Sequence, residues 1–371
     1  MDLNRRCFLK YAASGMIAAG ALPAIGCSGL RRKDLTGLLE QENYVHGLTK
    51  TELDILYMAS LAPSGHNAQP WTVKIVSPEK WIIGSDKTCW LPAADSDNFN
   101  CLLSIGAFIE NLVIAAGSNG YKADVQITAK DPFDTEIAII HFSRQRRNGE
   151  LVKRIKNRRM TKIPYRKKEI LAKDIEYLTH HSPEHICYFP KGSPQSTYIE
   201  EGTLECNRIQ DARQDVLEET AKWIRWSDED AKKYRDGLTP EAMSIHGVTG
   251  WVARHFFTRE SLFNKMNREM YLDMVEELLE NHGGWIVFTG KDSSVSSMID
   301  SGRRFERLWL KARAKNIAIQ PFSQLLEEAP GATVGIKGIE DDVHFIMRVG
   351  YIDSYPDPVS LRKPVSWFVE A

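Results

Sequence analysis

Cysteine is scarce. Six cysteines in 371 residues exclude a disulfide-held scaffold. The four beyond the first thirty residues, Cys89, Cys101, Cys187 and Cys206, form no C-x-x-C pair, which argues against a zinc site. One disulfide among them stays open if the compartment is oxidising. Neither sign of charge is in excess: a net charge of -1 gives no ground for wholesale binding of nucleic acid or acidic lipid. No G-x-G-x-x-G follows a strand pattern, so a Rossmann nicotinamide site lacks support, and neither H-E-x-x-H nor G-x-S-x-G occurs. His180, His181 and His185 are close in sequence but lack carboxylate or cysteine spacing, which reads as a surface segment rather than a metal site. With 43% hydrophobic and 26% charged residues, the chain is that of an ordinary globular protein, long enough for one large domain or two smaller ones.

Long apolar runs are also missing. The N-terminal one, residues 11–25, is shorter than the ~20 residues that span a bilayer. It follows Asn4-Arg5-Arg6-Cys7-Phe8-Leu9-Lys10, and charge before a short apolar run is the pattern of a signal peptide. The arginine pair resembles a twin-arginine signal, which exports proteins already folded; the plainer reading is a chance pair before an N-terminal helix. Ala24-Ile25-Gly26-Cys27 resembles a lipobox. A lipid on Cys27 would tether the chain to a membrane surface without spanning it, with residues 31–47 as the tether. The expected organisation is a leader over 1–27, a linker over 28–48, and the folded protein after that.

Thr49 or Thr51 caps a helix carrying Leu53, Leu56, Tyr57 and Leu61, and Pro63-Ser64-Gly65 ends it. Residues 72–76 and 81–84 read as strands separated by a turn at Pro78. A helical spacing of Leu103, Phe108, Leu112, Ile114 and Ala115 predicts a helix over 100–116, and residues 125–128 and 137–142 read as further strands. Residues 144–168 are strongly basic, and Glu169 opens a helix to His180. Residues 210–274 are polar and aromatic and read as helical without a strand pattern, an insertion or lid carrying Trp223, Trp226, Trp251, Phe256 and Phe257. A buried strand over 285–290, a helix over 295–314 and a strand over 343–351 follow. Strand, long helix and strand therefore occur twice, with Gly106 and Gly302 in the first halves of the two helices. The expected fold is α+β, with two similar halves over 49–147 and 148–371.

Two stretches carry candidate chemistry. Ala62-Pro63-Ser64-Gly65-His66-Asn67-Ala68-Gln69-Pro70-Trp71 is a loop rich in short polar side chains. It can present hydroxyl, amide and backbone groups to a polar ring system and its side chain, or it is a capped turn satisfying its own backbone. Arg158-Arg159-Met160-Thr161-Lys162 gathers two guanidinium groups and an ammonium, a set that suits a phosphate, with a helix start expected after it. The alternative is a solvated basic patch. Arg362-Lys363 is a weaker phosphate candidate of the same kind.

These residues carry a resemblance. Ala62 to Trp71 resembles the A-P-S-x-x-N-x-Q-P-W motif of the FMN-dependent nitroreductase family, and Arg158 to Lys162 resembles its R-R-S-x-R phosphate motif. Val349-Gly350-Tyr351 and Arg362-Lys363-Pro364 resemble its terminal G-Y-P and R-K-P segments. The arginines, first in ordinary members, come second here; with the longer chain and central insertion this resembles the Acg-like branch, in which two nitroreductase-like halves are fused. The resemblance covers about residues 50–371 and implies a nitroreductase-like α+β fold, each half a mainly antiparallel sheet flanked by helices. It implies that Pro63, Ser64 and Asn67, with Gln69 behind them, contact the ring and ribityl chain of FMN, and that Arg158, Arg159, Lys162 and Arg362 hold its phosphate. Met160 stands where the family has Ser or Thr. Gln320-Pro321 and Pro330-Gly331 edge the pocket in this reading, and Trp71 is core.

Ordinary members build each flavin site from two subunits. Here loop and arginines lie in one chain, and neither motif occurs a second time in the reciprocal order. The expectation is one FMN per chain in a monomer, or in a dimer whose interface is not essential to the flavin. The resemblance implies no essential protein acid or base, a small nitro- or quinone-like acceptor, and a donor that, outside the cytoplasm, would be a quinol or redox protein rather than a nicotinamide. Two alternatives stand beside this oxidoreductase: a protein that sequesters FMN under its lid with little turnover, and a structural lipoprotein with a degenerate site, suggested by Met160.

Overall fold

The computed structural model describes residues 29–35, 43–328 and 334–370. The leader, Cys27 and the Pro330-Gly331 pair lie outside the described residues.

The first helix, α1 (Lys50–Ser60), starts at Thr49, whose hydroxyl accepts the Glu52 N–H while the Glu52 carboxylate accepts the Thr49 N–H, a reciprocal cap. Strands β1 (Trp71–Ser77), β2 (Lys80–Ser85), β3 (Tyr121–Ile127) and β4 (Glu136–Arg144) form the first sheet in the order β3-β4-β2-β1, antiparallel throughout. Helix α2 (Phe99–Ser118) lies on it, followed by α3 (Val152–Asn157) and α4 (Ala172–Thr179). The second sheet, β5-β6-β8-β7, is also antiparallel: β5 (Ile186–Pro190), β6 (Gly284–Gly290), β7 (Ile317–Pro321) and β8 (Asp342–Tyr351). Between β5 and β6 the chain makes a helical excursion: α5 (Pro194–Ala212), α6 (Gln214–Trp223), α7 (Asp228–Tyr234), α8 (Gly247–Phe256) and α9 (Lys265–Glu280). Helix α10 (Val295–Ala312) and the short α11 (Gln324–Glu327) complete the second half. The expected α+β architecture, two antiparallel sheets flanked by helices, is what the chain adopts.

The two sheets share one hydrophobic body. Trp71, Trp81 and Ile83 of the first sheet and Ile286, Phe288 and Met347 of the second share one core. The C-terminus ties them further, because β9 (Val369–Glu370) pairs in parallel with β1 at the edge of the first sheet. Helix α2 is apolar nearly all round, as a helix sandwiched between layers must be. By length and composition it could cross a membrane, yet 83% of its apolar window is buried inside the protein.

α2 and α10 cross at the glycines. A Cβ on Gly106 would stand 2.3 Å from the Ile299 carbonyl oxygen, and one on Gly302 would stand 2.2 Å from that of Leu103. Each glycine lets the other helix's backbone into the space a side chain would fill. The sequence echo of two glycines is therefore a reciprocal packing contact.

Three expectations need correction. Residues 29–35 are not a free tether: Leu35 is buried with Ala231 and Leu361, and the Arg32 N–H donates to Val359 O (3.4 Å). The helix expected from Glu169 starts at Ala172, so no helix start follows the arginine motif directly; α3 precedes it instead. Strands β5 and β7 were missed, being five-residue runs that each end in proline, too short for their period to separate strand from buried loop.

In a helix interior, Gly→Ala ordinarily gains up to ~1 kcal/mol. Gly302→Ala should instead cost about 1–3 kcal/mol through forced displacement of the helices, read as a lower thermal midpoint. Gly117→Ala in α2, whose Cβ meets nothing nearer than 3.4 Å, should leave the midpoint unchanged or raise it.

Candidate functional site

The loop after α1 is held in a conformation few residues choose. His66, Asn67 and Gln69 have φ of 48°, 56° and 57°, each a left-handed position costing about 1–3 kcal/mol for a non-glycine residue. Surrounding groups fix it. Ser64 Oγ accepts the Gln69 N–H (3.0 Å). Asn67 Nδ2 donates to Gly237 O (3.1 Å) and Leu361 O (3.3 Å), and Asn67 Oδ1 accepts from Arg362 Nη1 (2.7 Å). Gln69 Nε2 donates to Arg235 O (3.0 Å) and Asn67 O (3.3 Å), while its Oε1 accepts the Lys363 N–H (2.9 Å).

This loop walls a cavity of about 490 Å³, within the range of small-molecule sites. Pro63, Ser64, Asn67, Arg158, Arg159, Lys162 and Arg362 all line it, although the loop, the basic segment and the C-terminal arginine are some 90 to 300 residues apart in the chain. Gln69 is not at the wall; every polar atom of its amide is used to fasten the loop to the lid and the C-terminal segment. Asn67 reaches the wall with its amide likewise engaged. Met160 and Gln320-Pro321 line the cavity, and Trp71 is in the core, stacked on Phe108 at 5.0 Å.

The cationic end has few counter-charges. Arg158 stacks on Trp309 (4.7 Å), donates to Leu61 O (2.6 Å) and pairs with Glu306, Nε to Oε1 at 3.2 Å. Arg159 donates to the carbonyls of Asp357 and Glu241, and Arg362 to those of Leu61 and Ala62. Nε of Arg159 and Arg362 is buried without a hydrogen-bond partner, and Arg158 Nε has only its ion pair with Glu306. Lys162 Nζ has no partner among the described residues, and burial holds its pKa below the ordinary lysine value. Burial, then repulsion from Arg158 and Arg32, pushes Arg362 well down. His66 is held at about 4 by burial and by Lys162, so it is neutral at pH 7. Glu306, the carboxylate beside Arg158, is pushed up to about 7 by burial against the pull of Arg158. Uncompensated buried cations cost several kcal/mol, and a phosphate with oxygens for several donors at once would relieve that cost.

The remaining lining differs. Leu103, Phe305, Trp309 and Phe345 give it apolar and aromatic surface, as do Trp226, Met243, Phe257 and Leu262 of the helical excursion, the lid. At a third place stand Asp95 and Glu327. Asp95 accepts the Asn100 and Cys101 N–H groups at the start of α2 (3.0 and 2.9 Å), and Glu327 accepts from Asn100 Nδ2 (2.9 Å) and Gln210 Nε2 (2.7 Å). Burial pushes Asp95 to about 6 and Glu327 to about 7. Sequence reasoning missed Arg32, His66, Asp95, Glu306 and Glu327. Only Glu306 left a sequence signal, as an acid on the apolar face of α10.

The lid is fastened to the loop rather than hinged over it. Besides the Asn67 and Gln69 bonds, the Ala93 and Ala94 N–H groups both donate to Glu219 (3.0 Å each), and Lys363 Nζ lies 3.7 Å from Asp236.

No family model and no curated protein sequence matches the chain. Among solved structures it is similar to a nitroreductase-like family protein from Bacillus cereus, at 12% identity over 60% of this chain and 95% of that one, TM-score 0.31. It is also similar to an Anabaena variabilis protein assigned to the nitroreductases, at 11% identity over 92% of this chain and 99% of that one, TM-score 0.39.

Glu327 gives a pH test. An acid raised from 4.5 to about 7 in the fold binds its proton there before it does in the unfolded chain. Stability therefore falls as pH rises through that window. Glu327→Gln removes the titration, so its stability relative to wild type should increase by ~1–2 kcal/mol between about pH 5 and pH 8, after discounting for partial exposure. Thermal melts across that range check it; a pH-independent difference would show that the carboxyl is not raised.

Proposed function

We propose that the protein is an FMN-binding oxidoreductase of nitroreductase type, holding one flavin per chain. One observation carries this reading: guanidinium and ammonium groups with unpaired N–H donors converge on a cavity that is otherwise lined largely by apolar and aromatic side chains. That combination suits a phosphomonoester joined through a polar chain to a flat ring system. Arg158, Arg159, Lys162 and Arg362 would hold the phosphate. Ser64, whose oxygen already accepts from Gln69, keeps its O–H free to donate to the ribityl chain or ring. With Met160 at the wall, no hydroxyl is offered at that position.

When bound, the flavin supplies reversible two-electron transfer. The chain's own work is to bind, orient and exclude water. The left-handed loop is fixed before ligand arrives, so little ordering cost falls on binding. The lid's apolar side chains suit a small aromatic acceptor, a nitro compound or quinone, beside the flavin. The leader supports export in the folded state to the periplasm or a membrane surface. The donor is then a quinol or redox protein. Because loop and arginines come from one chain, the protein works as a monomer, or as a dimer whose interface the flavin does not need. A second reading, sequestration of FMN with little turnover, is favoured by one feature: the lid is bound to the loop through Asn67 and Gln69, and to Ala93 and Ala94 through Glu219.

Lys162→Ala should weaken FMN binding by about 10- to 100-fold, the worth of one charge-assisted contact. It should leave riboflavin, which lacks the phosphate, nearly unchanged; flavin absorbance titrations measure both. Equal losses for the two ligands would remove the phosphate assignment. Stopped-flow reoxidation of the chemically reduced holoprotein by a nitroaromatic or quinone separates the readings, because the sequestering protein would reoxidise no faster than under oxygen alone.

A further inference from the structure

We propose that the outer face of α8, continued onto the start of α9, is the surface by which this protein lies against a lipid bilayer. The two most exposed large apolar side chains among the described residues are Met266 at 68% and Phe256 at 66%, and both are on the lid. Val248, 45% exposed, Val252 and Phe256 are spaced by four residues along α8 and so form one apolar stripe. Trp251 flanks the stripe, stacked on His255 (4.6 Å) and edge-on to Phe256 (5.7 Å), the amphipathic kind of ring that sits at a membrane interface.

The stripe is not what holds α8 in place. The opposite side does that: Gly250, Ala253 and Arg254 are buried, and Arg254 pairs with Glu241. The outer side chains are thus free to serve contact.

A separate observation names the occupant. The Gly29 N–H donates to Glu241 Oε1 (3.0 Å), the partner of Arg254, and the Leu30 N–H donates to Asp228 Oδ1 (2.9 Å). The N-terminal segment therefore joins the folded protein directly beside α8. Cys27 precedes Gly29 by two residues, so a lipid there would be linked to this point through at most ~7–8 Å of chain. A tether that short leaves no slack, and the surface around it must face the bilayer. One acyl chain alone binds membranes only marginally and needs a second contact; α8, whose Arg254 side holds the anchor point, carries on its outer side an apolar stripe that can supply it. A second protein fits less well. A ten-residue helix, about 15 Å long and about 10 Å wide, offers only ~150 Å², far below the ~800 Å² per partner of a stable complex. An interfacial helix needs no more than its own stripe. The proposal stands apart from how the cavity is used.

The test is hydrogen–deuterium exchange on the full chain, with and without vesicles of phosphatidylcholine and phosphatidylglycerol. Exchange over residues 247–266 should slow several-fold when vesicles are added. Val248→Glu with Phe256→Glu should abolish that protection and weaken vesicle affinity at least tenfold, with the thermal midpoint retained. The milder Val248→Ser should give a partial loss if the double variant does not fold. Val76→Glu, at another exposed apolar position on β1 (50%), should change nothing. Vesicle binding through the leader with no protection of 247–266 overturns the proposal. So does protection that needs no vesicles and grows with protein concentration, which would assign the face to a second copy.

Discussion

The contact between α2 and α10 organises this protein. Two backbones approach at Gly106 and Gly302 so closely that neither position has room for a methyl group. That approach brings the two sheets onto one core and fixes which residues of each helix face the other. Around the crossing the helices exchange charge: Glu110 of α2 accepts from Arg303 (3.2 Å) and Arg307 (2.7 Å) of α10. Glu306, on the same turn of α10, pairs instead with Arg158.

The site inherits its geometry from this crossing. Trp309 and Glu306 of α10 hold the Arg158 guanidinium between a ring face and a carboxylate. Leu103 of α2, whose carbonyl touches Gly302, and Phe305 of α10 supply part of the apolar lining. Asp95 holds the first N–H groups of α2 and sits at the same cavity. Cavity and core are thus two sides of the same pair of helices, and the loop from residues 63 to 69 closes the remaining side at the cost of three left-handed residues.

Much of this was readable beforehand, because the informative features were local. The Thr49–Glu52 cap, the β1–β2 hairpin, the all-round apolar α2 and the echoing glycines each lie within a few residues of sequence. The loop and the basic segment were also visible as motifs. What was not legible depends on distant partners. Nothing near Gln69 says that Arg235 and Lys363 will engage its amide and keep it from the cavity wall. Asp95 and Glu327 look like surface acids until α2 and α11 bring them to one pocket. The five-residue strands β5 and β7 are strands only because β6 and β8 stand beside them. The packing of residues 29–35 against Ala231 and Leu361 could not be inferred from a polar composition that reads as linker.

Arg362 stands 295 residues after Asn67 in the chain, yet it bonds to Asn67, Leu61 and Ala62, and β9 then closes the edge of the first sheet. During synthesis the loop is made long before its anchor. The pocket therefore takes shape only once residue 362 has left the ribosome, and deleting Arg362 would leave the loop without its clamp. Any ligand that needs the finished pocket binds after that point.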